Sequence, residues 1–374
     1  MNGILITGAA GNVGARLAAE YLARTDREVF ALVRAESPAR ARERVGEALD
    51  FWGWPEDRRA GRVTALAGDV ETPGLGLPPE TIARVRERAS IVVHAAANIR
   101  LDQSLEAARR AIVGGTENAL ALARSLAKLE RFGFVSTMEV AAGCDCLVKE
   151  EFLAGLRIRF LNTYEIAKFE AEEFLRGEIA RGAPVTVFRP SMVVGEAATG
   201  KVHGFQSFYL LMEKMLLSPE FPVMPRGCFV DTIPVDVLAE GILRLMDHPG
   251  AAGRVHHFAQ GIEDHVGFRE FVALTAPLLA ERLGSPVVPP RFAPPGLFSV
   301  LLAAMAPFAW GRPRRRIRIM RIFTRVLAAH ARFETRQTRD TLASLGVAWP
   351  RFQECLPRLL DYYLPRRGRT RMPF

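Results

Sequence analysis

Tyr164 and Lys168 stand four residues apart in NTYEIAKFEAE, and a helix through that stretch sets both side chains on one face about a turn apart. An ammonium beside a phenol favours the phenolate. The pair is therefore expected to bring the tyrosine pKa toward neutrality, so that Tyr164 can give a proton to a developing alkoxide while Lys168 orients a neighbouring ribose. A strand-like run, RFGFVST, ends in Ser136 and Thr137, and a hydroxyl there can hold and polarise the same oxygen. Thr137 is preferred over Ser136 for that role. Near the N-terminus Thr7, Gly8, Gly11, Asn12, Val13 and Gly14 lie in the run TGAAGNVG, a TGxxGxxG pattern between a short apolar run and a helical one. Glycines at that spacing let the backbone turn tightly and approach a pyrophosphate seated on the helix N-terminus. Together these residues point to hydride transfer beside a dinucleotide.

The elements that must position them alternate along the first 190 residues. GILIT precedes a helix over 12–24, EVFALV a helix over 38–50, and RVTAL and SIVVHAA a helix over 103–127. RFGFVST then precedes a helix over 160–180, and VTVFRP follows. That rhythm predicts βαβ units, and the continuously apolar strands predict a sheet covered on both faces. The expected fold is α/β, a Rossmann-type doubly wound parallel sheet with a smaller, mainly helical C-terminal substrate lobe. Residues 1–192 and about 228–260 form the dinucleotide-binding unit. Residues about 193–227 and 261–374 form a lid lobe.

The second strand ends at Arg34, where an NAD-preferring protein places a carboxylate for the ribose 2′-hydroxyl. A guanidinium suits a 2′-phosphate instead, so NADPH is expected ahead of NADH. Asp69 and Val70, after the third strand, are placed at the adenine. Cys144, Cys146, Cys228 and Cys355 show no CxxC pairing and are read as free thiols. His94, His256, His257 and Cys144 match no ligand spacing, and no metal is expected.

The net charge of +9 includes a dense run at Arg312, Arg314, Arg315, Arg316, Arg318 and Arg321. No nucleic-acid motif accompanies it and aromatics are not interleaved, so nucleic acid is not the expected partner. An acyl carrier protein, the phosphates of coenzyme A or an anionic membrane surface would each satisfy it. Residues 292–310 are the most apolar stretch, yet Pro294, Pro295 and Pro307 interrupt it, which predicts a wall of the lid or an interfacial helix rather than a span. No basic leader precedes the first strand, and a cytoplasmic protein, with peripheral membrane contact left open through 292–321, is expected.

In order along the chain, TGAAGNVG, ALVRAES, GDVETPGLGL, VVHAAANIRLDQSLEAARRAIVGGTENALALA, VSTMEV, FLNTYEIAKFEAE and FRPSMVVGEAATG resemble the blocks of the extended short-chain dehydrogenases/reductases. Within them they resemble the branch of fatty acyl-CoA reductases and carrier-bound thioester reductases. The resemblance covers about the first 250 residues. It implies that Gly8, Gly11 and Gly14 bind the pyrophosphate, that Ala95, Ala96 and Ala97 line the cofactor with Pro190 beside it, and that Thr137, Tyr164 and Lys168 are the catalytic set. One departure stands out: the family's NVxGT is AIVGGT here, with Ile112 where an asparagine is usual.

The expected activity is NADPH-dependent reduction of a lipophilic acyl thioester, carried by coenzyme A or a carrier protein, to the aldehyde, with further reduction to the alcohol left open. The alternatives are a sterol-type alcohol or ketone dehydrogenase, a nucleotide-sugar epimerase or dehydratase, and a non-catalytic NADPH sensor.

Overall fold

The computed structural model describes residues 3–98, 103–217, 223–225, 229–293, 304 and 331–367. Seven strands make one parallel sheet: β1 (Gly3–Thr7), β2 (Val29–Val33), β3 (Val63–Ala67), β4 (Ala89–His94), β5 (Arg131–Val135), β6 (Val185–Pro190) and β7 (Val255–Phe258). Their spatial order is β7-β6-β5-β4-β1-β2-β3. The order reverses between β1 and β4, the place where an open α/β sheet leaves a crevice above its carboxyl edge. Register aligns that edge: Thr7 pairs with His94, His94 with Phe134 and Val135 with Phe188. The Rossmann-type doubly wound sheet expected from the alternation is present.

Helices α1 (Asn12–Arg24), α2 (Pro38–Phe51), α3 (Pro79–Arg88), α4 (Gly115–Arg124), α5 (Thr163–Ala180) and α6 (Val235–Asp247) flank the sheet. Most of them bury an apolar stripe against it. Leu17 and Tyr21 of α1 share one core with Leu238, Ile242 and Leu245 of α6, while Ala167, Ala171 and Leu175 of α5 share another with Ile112 and Phe134. Helix α3 has no counterpart among the expected helices, and only Val85 of its residues is buried. The single helix expected over 103–127 is instead Leu105–Arg109, one π turn over Arg110–Gly114, and α4. Gly115 at that break sits where an added Cβ would meet Val70 Cγ2 at 3.1 Å.

A separate apolar core joins Val202, Phe205, Phe208 and Tyr209 to Phe268 and Phe271 of α7 (Phe268–Leu283). Phe352, Leu356 and Tyr363 of α9 (Phe352–Tyr363) complete it. Helix α8 (Arg336–Ser344), which the sequence division gives to the lid, packs elsewhere: Leu342 and Val347 are buried in the sheet-side core. Thr338 accounts for this return, bonding His256 Nδ1 at 3.0 Å and taking Glu150 as a second partner.

The free-thiol expectation needs one correction. Cys144 and Cys146 are joined in a disulfide across a single residue, while Cys355 is a buried free thiol. Two residues separated by one other are never more than about 7 Å apart, and here the Cα atoms lie 5.4 Å apart, within disulfide reach, which a search for CxxC pairs alone passes over. Cys228, the arginine run 312–321 and residues 294–303 and 305–310 of the apolar stretch lie outside the described residues. Among the described residues no helix is long and apolar enough to cross a membrane.

Candidate active site

Helix α1 begins directly after the β1 turn, with Gly11 as an N-cap that offers no side-chain bond to the first turn. The leading N–H groups of α1 are therefore left for an anion. Gly8 adopts a left-handed φ of 69°, and a Cβ there would meet Ala96 N and Cα at 2.9 Å. A Cβ on Gly14 would stand 2.3 Å from the Gly8 carbonyl oxygen. The turn is thus folded tightly onto itself and onto the loop after β4, leaving backbone rather than side chains toward the crevice. Asn12 is 9% exposed, and neither its Nδ2 nor its Oδ1 has a hydrogen-bond partner. Two unspent buried polar atoms at a bare helix N-terminus fit a dinucleotide's pyrophosphate and ribose.

A cavity of about 320 Å³ opens from this turn across the carboxyl edge of the sheet. Asn12, Val13, Ala95, Ala97, Thr137, Tyr164, Lys168 and Pro190 all line it, so the motif residues from five separate segments converge. Three of the expected contacts are placed differently. Thr7 is fully buried, its Oγ1 bonded to His94 Nδ1 at 2.8 Å and accepting Ala96 N–H at 3.2 Å, so it braces the turn from behind. Ala96 likewise backs Gly8 instead of facing the cavity. Val70 is 7% exposed and packs on Gly115, with its carbonyl taken by Asn118 Nδ2 at 2.9 Å.

Arg34 is exposed at the end of β2, where its guanidinium reaches Asp69 at 3.1 Å and Glu71 at 2.7 Å. Asp69, expected at the adenine, is occupied by that pair and by Glu71 N–H at 3.0 Å. The guanidinium's fork thus stands at the predicted 2′ position already turned toward two carboxylates.

Tyr164 is in the first turn of α5, whose N-cap Asn162 accepts Glu165 N–H at 3.0 Å. Lys168 follows one turn later, and its Nζ donates to Val135 O at 2.7 Å and lies 4.5 Å from the centre of the Phe134 ring. Thr137 caps the next short turn, taking Glu139 N–H at 3.2 Å, and its hydroxyl is near enough to the Tyr164 phenol to oppose the rise in the phenol's pKa. Ser136 turns the other way, to Glu172. Glu172 is held in turn by Arg189, Nε to Oε1 at 3.0 Å, with both side chains essentially unexposed. That buried pair locks the strand ends on which Thr137 sits, and the 17-residue separation hides it from a reading of local motifs.

Burial works against the expected lowering of the phenol by the ammonium. Burial raises the Tyr164 phenol well above its ordinary value, with the nearby Glu139 pushing in the same direction. Burial also lowers Lys168 to about 7, against the opposing pull of Glu172. Desolvation outweighs the attraction because both groups lie in the same low-dielectric pocket and penalise any charge placed there. The phenol is consequently a proton holder. His94, buried and facing Lys168, is lowered to about 3 and stays neutral.

Ile112 occupies the place of the family asparagine as a wholly apolar residue, 1% exposed in the core under α5. Sequence reasoning missed Glu139, Asp231, His265 and Phe333 on the cavity wall. Glu139 does carry a local signal, an acid two residues past Thr137. The others come from segments far apart in sequence with no shared motif. Among the described residues no group of His, Cys, Asp or Glu is arranged to hold a metal.

The NAD-binding family described as "Male sterility protein" matches residues 6–242. Isonitrile lipopeptide synthase of Streptomyces coeruleorubidus is 36% identical over 254 residues, 65% of this chain but only 16% of that protein. This chain therefore spans a small part of such relatives. Among solved structures, the terminal R domain of the myxalamid PKS-NRPS pathway superposes with a TM-score of 0.79 at 23% identity, covering 98% of this chain and 91% of that one. A thiolation-reductase di-domain from an archaeal non-ribosomal peptide synthetase gives a TM-score of 0.73 at 19% identity, over 96% and 75% of the two chains.

Proposed function

This chain belongs to the male sterility protein family, NAD(P)-binding oxidoreductases of the extended short-chain dehydrogenase/reductase type, and from that premise we propose that it reduces a carrier-bound acyl thioester and releases the aldehyde. The observation that carries the proposal is the convergence of Thr137, Tyr164 and Lys168 on one cavity beside the glycine turn. A nicotinamide dinucleotide, when bound, supplies the hydride.

The residues of this chain do the rest. The N-terminus of α1 and Asn12 would hold the pyrophosphate and ribose. Thr137 and Tyr164 hydroxyls would grip the acyl oxygen, and Tyr164, kept protonated by burial, gives it the phenolic proton as negative charge develops. Lys168, one turn along α5, then favours the phenolate that remains, and the charge on that phenolate restores the lysine's own preference for its proton. Arg34 favours NADPH, exchanging Asp69 and Glu71 for a 2′-phosphate that presents the same bidentate geometry.

A carrier-delivered substrate is supported by the solved relative in which the reductase is joined to a thiolation domain. The lipophilic character of the acyl group is supported by the apolar residues Val13, Met192, Val193, Phe229 and Phe333 on the cavity wall. The test follows cofactor oxidation and thiol release with acyl-pantetheine, acyl-CoA, a long-chain aldehyde, a sterol ketone and a UDP-sugar, each with NADPH and NADH. Thiol release with NADPH from either thioester is expected. Turnover confined to the ketone or the sugar nucleotide would replace the proposal by a dehydrogenase or epimerase.

A further inference from the structure

Two carboxylates line the cavity, and they are not equivalent. Asp231 is engaged, accepting Gln260 N–H at 2.8 Å and Gly261 N–H at 3.2 Å, and it ties together the loops beneath the cavity. Glu139 is held only through its backbone, which donates to Thr137 Oγ1. Among the described residues no donor is bonded to its carboxyl group. It sits on the same short turn as Thr137 and near enough to Tyr164 to bear on the phenol's charge. The acyl carbon of a thioester carries two heteroatoms, and the Thr137 and Tyr164 hydroxyls account for the oxygen. A second acid one turn-step away has the sulfur as its counterpart.

We propose that Glu139 is a catalytic acid that protonates the departing sulfur when the reduced thioester collapses. The proposal rests on the thioester reductase reading. The atoms balance as follows. Hydride from the nicotinamide dinucleotide and the proton of Tyr164 convert the thioester to a hemithioacetal, leaving Tyr164 as phenolate. The phenolate takes back the hydroxyl proton, the C=O bond of the aldehyde forms, and the C–S electron pair leaves on sulfur. Glu139 supplies the proton that makes that sulfur a thiol, and its carboxylate is reprotonated from solvent.

The surroundings suit an acid of this kind. Burial lifts the Glu139 carboxyl to about 7, so an appreciable fraction carries its proton at neutral pH. Facing it are Tyr164, Glu165 and Lys168 from α5, with Asp231, His265 and Arg332 from the other walls of the cavity. Glu165, itself raised to about 8, is occupied by Leu161 N–H at 2.6 Å and Asn162 Nδ2 at 2.7 Å, so it is not the free acid. The sequence places no acid at this position by any family motif that the resemblance supplies.

The test compares wild type, E139Q and E139D on three substrates: an alkyl thioester, an aryl thioester of the same acyl group, and the corresponding aldehyde. An aryl thiolate leaves without help, and an aldehyde loses no sulfur. For E139Q, alkyl thioester turnover should fall about 100-fold, the usual scale of a positioned acid, while aryl thioester and aldehyde turnover stay within about twofold of wild type. E139D should recover part of the loss. Independently of turnover, difference infrared spectra of the cofactor-free protein should show a protonated carboxyl band that titrates near 7 and disappears in E139Q. Equal losses on all three substrates, no loss on the alkyl thioester, or a carboxyl that titrates in the ordinary glutamate range would each overturn the assignment. Wild-type thiol release with an unaffected E139Q overturns only this inference, whereas no wild-type thiol release from any thioester removes the reading beneath it as well.

Discussion

Replacing Gly14 by alanine tests whether the turn after β1 is the dinucleotide cradle. The new Cβ would stand 2.3 Å from Gly8 O, 2.9 Å from Gly8 C and 3.1 Å from Ala9 Cα, all of them backbone atoms that cannot rotate away. Carbon and oxygen settle at roughly 3.3 Å or more, so the turn must open by about 1 Å. Overpacking on this scale costs about 1–3 kcal/mol. The same displacement moves the N–H groups of α1 off their anion, and a loss of about 1.4–2.7 kcal/mol of binding corresponds to about a 10- to 100-fold rise in Kd. Isothermal titration with NADPH and urea unfolding without ligand measure the two effects separately. A control comes from α5: a Cβ added at Gly177 would have no atom within 4 Å, so Gly177→Ala should stabilise by about 0.5–1 kcal/mol and leave the Kd alone. Wild-type NADPH affinity in Gly14→Ala, with the fold intact, would refute the assignment of the turn.

Three further outcomes are expected. Tyr164→Phe should keep NADPH affinity within about twofold while turnover drops about 100- to 10,000-fold, read by titration and by steady-state kinetics; retained turnover would remove the phenol from the chemistry. Arg34→Ala should weaken NADPH about 10-fold and NADH hardly at all, since only the phosphate loses a charged partner; equal effects on both would deny it the 2′ position. Stability should depend on pH in two windows. Glu139, Glu165 and Asp231 have folded pKa values raised to about 7, 8 and 6, so the unfolded chain releases their protons first and stability falls as pH rises from the ordinary carboxylate range toward 8. Lys168, lowered to about 7, acts oppositely: the cost of its buried ammonium is fully present below 7 and is relieved from there toward the ordinary lysine range as the folded chain gives the proton up, which makes stability rise with pH through that window. Urea midpoints across pH for wild type, E165Q and K168M check this, and unchanged profiles in the variants would contradict the burial argument.

The parts of the molecule that were legible in the sequence are those in which local pattern and tertiary role coincide. Strands β1, β2, β4 and β6 are continuous apolar runs because helices cover both faces, and that burial is what the sequence displays. Tyr164 and Lys168 share one cavity through a spacing that a helix enforces, and Gly8 and Gly14 close the turn through the absence of a side chain, so each announces itself locally. Thr7 misleads because its position in the motif is real while its hydroxyl is spent on His94 and Ala96. The tyrosine's electrostatics were illegible for a different reason: spacing conveys the neighbouring charge but not the desolvation that outweighs it. The Glu172–Arg189 pair, the return of α8 to the sheet and the places of Asp231, His265 and Phe333 on the cavity wall depend on contacts between distant segments. No periodicity in one chain encodes them.

The central claim is that hydride reaches a thioester carbonyl held by Thr137 and Tyr164, with expulsion of a thiol. The most direct measurement incubates the protein with 4-deuterated NADPH and an acyl-pantetheine thioester, traps the product as an oxime, and follows deuterium by mass spectrometry alongside free thiol. The account predicts one deuterium on the formyl carbon and one thiol released for each NADPH consumed in forming the aldehyde, and loss of both in Tyr164→Phe. Oxidation of NADPH without thiol, or thiol release without deuterium in the product, would contradict it.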